Sequence, residues 1–144
     1  MDDPHDLNRF LAAQAPVMAT VRAELAAGRK RSHWMWFVFP QLRGLGQSET
    51  ARHYGIAGRE EAAAYLAHPV LGPRLLDCAG LVREAPAASA EALFGPVDAL
   101  KLRSCMSLFA LVAPERPAFR AVLDRYFAGQ PDLRTAGMLE APGG

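Results

Sequence analysis

The sequence predicts an all-α fold: a compact single-domain bundle of about eight to nine short helices around a central apolar helix at residues 98–113. Three observations predict it. Ala, Leu, Arg and Glu dominate, and almost every segment opens at a capping residue or proline and closes at a glycine, the punctuation of successive short helices. Strand-type alternation of polar and apolar residues is scarce. The segment Asp98–Ala113 carries Leu102, Met106, Phe109 and Ala113 on one face, while Leu100, Leu108, Leu111 and Val112 cover much of the rest. A helix apolar nearly all round belongs in the middle of a bundle.

In chain order, Asp6 is placed to cap a first helix over Leu7–Gln14, and Pro16 suits the first turn of a second, which puts Val17, Val21 and Leu25 on one face and ends at Gly28. The aromatic string from Trp34 to Phe39 has strand-favouring residues, but no second convincing strand exists to pair with it. A lone strand would leave its backbone groups unsatisfied in the core, so the string is read as a helix capped by Ser32 and ended by Pro40. Gly44 to Gln47 form a turn, Ser48 starts a helix through Tyr54, and Arg59–Ala67 is closed by His68 and Pro69. A turn from Pro69 to Pro73 leads into Arg74–Glu84, with Leu75, Leu76, Ala79 and Val82 at helical spacing. Ser89 opens a short turn ending at Gly95, the central helix runs to Pro114, Ala118–Ala128 comes next with Gly129 at its end, and Asp132 caps a last helix before the Pro142-Gly143-Gly144 tail.

The 144 residues suit one domain spanning 1–144, long enough to bury about 68–70% of the unfolded surface. With 51% hydrophobic and 22% charged residues the composition is that of a soluble globular protein, and a formal net charge of +1 gives no global attraction to nucleic acid or acidic membranes. The acidic start and the lack of any apolar run of about 18 residues predict a cytoplasmic protein without a membrane span. Cys78 and Cys105 lie far apart in apolar helical contexts and are read as free buried thiols. Among His5, His33, His53 and His68 no pair has the spacing of helical metal ligands, so neither a metal nor a cofactor is expected.

The segments GRKRSHWMWFVFPQLRGLGQS, YLAHPVLGPRL, DALKLRSCMSLF and FRAVLDRYFAGQPDLRT together resemble a bacterial family known as domain of unknown function 1810, whose members sometimes carry the label calpastatin. The resemblance covers nearly the whole chain, and the string from Ser32 to Gln41 is its most specific part. Two positions depart from the family pattern: Cys105 stands where Ser is usual and Ser107 where Thr is usual. The resemblance implies a compact, predominantly α-helical domain and implies no activity. The calpastatin label fits poorly, because such an inhibitor would be a long disordered chain and this composition is globular.

The candidate chemistry gathers at two places. Arg29, Lys30 and Arg31 precede Ser32, and if Ser32 caps the aromatic helix, outward-facing amides beside three cations would hold a phosphate or carboxylate. Trp34 or Trp36 could stack a flat ring, and Gln41 could read its polar edge, although a loop amide bonded to backbone is the plainer reading. Gly44, Gly46 and Ser48 resemble a phosphate-cradling turn in shape alone, since no Gly-Lys-Ser/Thr ending is present. On the central helix Asp98, Lys101, Ser104 and Ser107 step by three across an apolar rod, with Asp98 placed to pair with Lys101. The sharper expectation is that Lys101 and Ser104 enter one cleft with His33, where His33 and Lys101 would be the catalytic pair.

The sequence therefore points to a domain that binds a small anionic, nucleotide-like ligand through Lys30, Arg31, Ser32, Trp34, Trp36, Gln41, Gly46, Ser48 and Ser104. Two alternatives stand beside it. One is a hydrolase acting on an N-glycosidic or phosphate bond, with His33 as acid or base and Lys101 on developing negative charge. The other is an interaction protein without a small-molecule site, in which the aromatic segment is wholly buried and Arg29 to Arg31 face water. Nucleic acid is the least expected partner.

Overall fold

The computed structural model describes residues 2–140. Among them the chain forms ten helices rather than eight to nine: α1 (Asn8–Gln14), α2 (Met18–Ala27), α3 (Met35–Val38), α4 (Glu49–His53), α5 (Arg59–Ala67), α6 (Leu71–Glu84), α7 (Ala90–Phe94), α8 (Pro96–Val112), α9 (Pro117–Phe127) and α10 (Leu133–Glu140). The all-α expectation holds, with one parallel β-bridge, Leu42 to Ile56, as the extended pairing among the described residues. The Pro142-Gly143-Gly144 tail lies outside the described residues.

The central helix is α8, which packs against α5, α7, α9 and α10. It begins two residues before the expected Asp98 because Pro96 occupies its first position, where a missing N–H costs nothing. Its apolar surface is not wholly covered: Leu102, Met106, Leu108 and Phe109 are buried, whereas Val97 and Leu100 are 66% and 65% exposed and Leu111 also reaches solvent. From Phe109 an aromatic chain runs through the core, at ring separations of 5.5 Å to Phe119 and 5.6 Å to Tyr65, then 5.1 Å from Tyr65 to Phe10. Each such buried ring contributes about 1.5–3 kcal/mol by leaving water.

Several ends differ from the sequence reading for identifiable reasons. Asp6 is not a cap: it sits at φ 50°, and the Asp3 carboxylate accepts the Leu7 and Asn8 amides at 2.8 and 3.0 Å instead. Helix α2 begins at Met18, leaving Pro16 in the turn before it. Helix α6 begins at Leu71 and takes Pro73 into its first turn, its amides met by His68, whose Nδ1 accepts from Val70 and Leu71 at 3.1 and 3.2 Å. Ala128 takes the left-handed position at the end of α9 ahead of Gly129. The caps expected at Ser48, Ser89 and Asp132 form, accepting the amides of Ala51, Ala92 and Thr135 at 3.1, 3.0 and 2.9 Å. Gly28 also ends α2 as expected, at φ 78°, where a Cβ would lie 2.7 Å from the Pro86 carbonyl oxygen.

The largest correction concerns the aromatic string. Only Met35–Val38 is helical, Trp34 occupies the N-cap position, and Ser32 lies outside the helix. The segment is held by its side chains rather than by helical length: Trp34, Phe39 and Phe94 meet with ring centroids 6.0–6.3 Å apart. The bridge between Leu42 and Ile56 then anchors the chain beyond Pro40, with Ile56 N donating to Gln41 O at 2.9 Å and Arg43 N to Ile56 O at 2.8 Å.

At the other end of α1, Arg9 anchors the loop after α4. Its guanidinium pairs with buried Glu61 at 2.6 Å and also donates to the carbonyls of His5, Asp6, His53 and Gly55. Removing one partner of such a pair strands the other charge in the interior, so Arg9→Met is expected to lower the unfolding free energy by about 3–5 kcal/mol. Arg22→Met, which breaks the exposed 3.5 Å pair with Asp77, is expected to cost less than about 1 kcal/mol. Urea unfolding of the two variants checks the difference.

Candidate functional site

The basic triplet separates in space. Arg29 and Arg31 are exposed, but Lys30 turns inward, with only 7% of its side chain accessible. Its backbone explains the turn: Lys30 N donates to the Leu93 carbonyl at 2.7 Å, which ties the connection after α2 to α7. The ammonium then donates to Ser32 O at 2.6 Å and meets Asp98 Oδ2 at 2.9 Å. Lys101, one helical turn after Asp98, meets the other oxygen, Oδ1, at 3.1 Å. One carboxylate on α8 therefore joins two lysines from distant parts of the chain. Burial raises the Asp98 pKa, but the hydrogen bonds and charges of Lys30 and Lys101 together outweigh it and hold the carboxyl below its ordinary range.

Both ammonium groups also lie against indoles. Lys30 Nζ is 5.0 Å from the ring centre of Trp34, and Lys101 Nζ is 4.2 Å from that of Trp36, within the range of cation–π attraction. Trp34 is buried and Trp36 half-buried, so the first indole is core and the second is a wall. Around this group opens a hollow of about 220 Å³ lined by Lys30, His33, Trp34, Trp36, Asp98 and Lys101, with Thr50 at its edge. A second hollow, of about 310 Å³, lies against the same Trp36 and Lys101 and is bordered by Gln41, Leu45, Gly46, Leu100, Ser104 and Arg134. Gly46 gives the indole its place, since a Cβ there would stand 3.0 Å from the Trp36 ring.

The structure thus brings Lys30, His33, Trp34, Trp36 and Lys101 together, and Gln41, Gly46 and Ser104 beside them. It places His33 on the first hollow and Ser104 on the second, where one shared cleft was expected, with Trp36 and Lys101 lining both. The Ser104 hydroxyl donates to the Leu100 carbonyl at 3.2 Å. Ser48 caps α4 and Arg31 is exposed, and neither lines either hollow. Asp98 as the shared counter-ion to Lys30, and Arg134 at the rim of the second hollow, were not legible beforehand. Nothing local in the sequence marks them.

The anion-binding expectation at Ser32 meets a specific correction. The amides of Arg31 and Ser32 do converge, but on an anion the chain supplies itself: Glu24 Oε1 accepts them at 2.9 and 3.2 Å and also accepts Trp34 Nε1–H at 2.9 Å, while Oε2 accepts the Ser32 hydroxyl at 2.6 Å. Four donors on one carboxylate leave those amides no role toward an outside ligand. Burial pushes the Glu24 pKa upward, yet the hydrogen bonds from Ser32, Arg31 and Trp34 together bring it from 4.5 to about 2.

The chain matches, over residues 4–139, the model of a family described as protein of unknown function, DUF1810. It belongs to the DUF1810 family. The DUF1810 chain is also similar to the crystal structure of the conserved hypothetical protein Rv1873 from Mycobacterium tuberculosis, with 55% identity and a TM-score of 0.94 across 96% of this chain and 99% of that one. A comparison with curated proteins returns no match. Among the described residues no group of His, Cys, Asp and Glu is arranged to hold a metal, and no helix is long and apolar enough to cross a membrane. Cys78 and Cys105 are free and buried, and burial pushes the Cys78 thiol up to about 12 and that of Cys105 well above its ordinary value.

For this DUF1810 domain the Glu24 arrangement gives a pH signature. A carboxyl whose folded pKa is depressed adds stability that is complete above its unfolded value near 4.5 and is lost as pH falls toward about 2. Glu24→Gln is expected to cost about 1–2 kcal/mol at neutral pH, since a neutral acceptor replaces a charged one. The gap from the wild type should close as pH drops from 4.5 toward 2. Urea unfolding of both proteins across that range checks the trend.

Proposed function

We propose that the protein binds a small anionic, nucleotide-like molecule, with its phosphate or carboxylate at Lys30 and Lys101 and its flat portion beside Trp36. One observation carries the reading: two lysines from separate segments converge on a single aspartate in a hollow walled by tryptophan. Each ammonium has three donors. Lys30 uses two, on Ser32 O and Asp98, and Lys101 one, on Asp98, so donors remain for an incoming oxyanion. The two cations and one carboxylate leave a local positive balance inside a chain that is close to neutral overall. Low local dielectric strengthens that balance relative to the same charges in water.

Size supports a small ligand. The 220 Å³ hollow lies below the range of about 300–1,000 Å³ typical of drug-sized sites, which suits an oxyanion with its nearest atoms. Any ring attached to that anion extends past Trp36 toward the second hollow. The wholly buried aromatic segment expected of a plain interaction protein is not the arrangement present, since Trp36 and Phe37 are half-buried. A hydrolytic role for His33 has weaker support: the side chain reaches the hollow, but among the described residues no hydrogen bond orients its ring for proton transfer.

A thermal-shift series with inorganic phosphate, sugar phosphates and nucleoside monophosphates tests the reading. A ligand at a hundredfold its Kd adds about 2.7 kcal/mol to stability and raises Tm accordingly. Lys101→Met, which leaves the Lys30–Asp98 pair in place, is expected to remove the shift while the free protein still unfolds cooperatively. If no compound of the series raises Tm at millimolar concentration, the proposal fails.

A further inference from the structure

Six polar or charged residues are buried among those described: Gln14, Gln41, Glu61, Ser104, Ser107 and Thr135. Five have evident partners. Gln14 donates to Phe37 O and Tyr65 Oη at 2.7 and 2.9 Å and accepts from Arg74, Glu61 pairs with Arg9 and accepts the Ala57 amide, and Ser104 donates to Leu100 O. Ser107 accepts the Asp132 amide at 2.7 Å, and the Thr135 hydroxyl donates to Asp132 at 2.6 Å. The side-chain amide of Gln41 is different. At 7% exposure it has no hydrogen bond to any described residue.

A buried amide left unmatched is costly, and natural interiors avoid it. No side-chain nitrogen or oxygen sealed from solvent lacks a partner among the described residues, so the Gln41 amide must still meet the exterior, and it does so through the second hollow that it lines. The backbone holds it there. Gln41 O accepts Ile56 N at 2.9 Å, and the residue comes directly after Pro40, so the side chain projects from a fixed point rather than a loose loop. Around it stand the Trp36 indole, the apolar side chains of Leu45 and Leu100, and the Ser104 hydroxyl, which has given its proton to Leu100 and keeps only acceptor capacity. Lys101 and Arg134 supply positive charge at the borders.

We infer that this second hollow is a recognition pocket for a planar heterocycle with an amide-type edge, a hydrogen-bond donor beside an acceptor, read by the paired acceptor and donor of the Gln41 side chain. The inference deepens the proposed function by naming the ring-binding half of the site, and it rests on that reading only for the link to a phosphate. A glutamine amide offers one acceptor and two donors in a plane, the pattern by which Gln and Asn pair with the N6–H and N7 edge of adenine. Uracil and nicotinamide present the same adjacent donor and acceptor. A purely apolar group would leave the amide unmatched, and a carboxylate would face its carbonyl oxygen. At about 310 Å³ the hollow lies at the lower end of small-molecule sites, in keeping with one ring rather than an extended ligand.

The test uses the full chain and separates the ring from the phosphate. Adenine, uracil and nicotinamide are titrated as free compounds by tryptophan fluorescence and thermal shift, with 1,3-dimethyluracil as a ring of similar shape lacking the N–H donor, and with inorganic phosphate as a separate arm. At least one amide-edged ring is expected to bind, dimethyluracil at least tenfold more weakly than uracil if uracil is the ligand, and Gln41→Met to weaken the ring by about 10-fold or more. Because the amide has no internal partner, Gln41→Met should leave Tm unchanged or raise it by about 2–4 °C, whereas Gln14→Met should lower it. Equal binding of a ring by wild type and Gln41→Met overturns the inference, as does a Gln41→Met protein destabilised like Gln14→Met. Crystals soaked in the rings that show ordered water alone on Gln41 also overturn it. Binding of phosphate but of no ring sinks the ring pocket and leaves the proposed function standing; ring binding without phosphate does the reverse.

Discussion

The Asp98 carboxylate is the contact on which the site depends. It sits in the first turn of α8, and each of its oxygens faces a different ammonium, Lys30 from the connection after α2 and Lys101 from one turn further along α8. Lys30 is almost wholly enclosed, and a cation removed from water needs a carboxylate and hydrogen-bond acceptors to be tolerable. Once Lys30 is drawn inward, the residues after it are drawn with it. Trp34 lands among Phe39 and Phe94, and Trp36 is left half-exposed beside Lys101. Trp36 and Lys101 then line both hollows.

Glu24 does the complementary work from the other side. Its carboxylate gathers the Arg31 and Ser32 amides, the Ser32 hydroxyl and the Trp34 indole N–H, so the irregular stretch between α2 and α3 has its polar groups answered within the fold. That is why a segment with a single helical turn can hold two tryptophans in place. The same contact occupies the backbone amides, so the unused hydrogen-bond donors of the region belong to the lysine side chains.

The buried polar groups divide into those that hold the fold and one that faces outward. Gln14 ties α1 to the aromatic turn and to Tyr65, and Arg9 with Glu61 ties α1 to α5. These are internally complete. Gln41, fixed by the bridge to Ile56 yet without a protein partner for its amide, has the opposite character. Its amide meets the exterior through the second hollow rather than a partner inside the fold.

Helix content, most helix ends and the central position of residues 98–113 could be read from the chain, because caps, prolines, glycines and apolar periodicity act over one or two turns. The i, i+3 pair of Asp98 and Lys101 belongs to the same local class and forms as expected. Contacts between distant segments could not be read in this way. That Glu24 would fill the amides beside Ser32, that Asp98 would also hold Lys30, that His33 and Ser104 would line different hollows, and that Gln41 would be left without an internal partner all result from how helices pack across separations of tens of residues. The sequence determined which stretches are helical and where polar and aromatic residues cluster; only the tertiary structure decided which donors find acceptors inside the molecule and which keep unused hydrogen-bonding capacity, because hydrogen bonds and ion pairs are assigned by proximity in space.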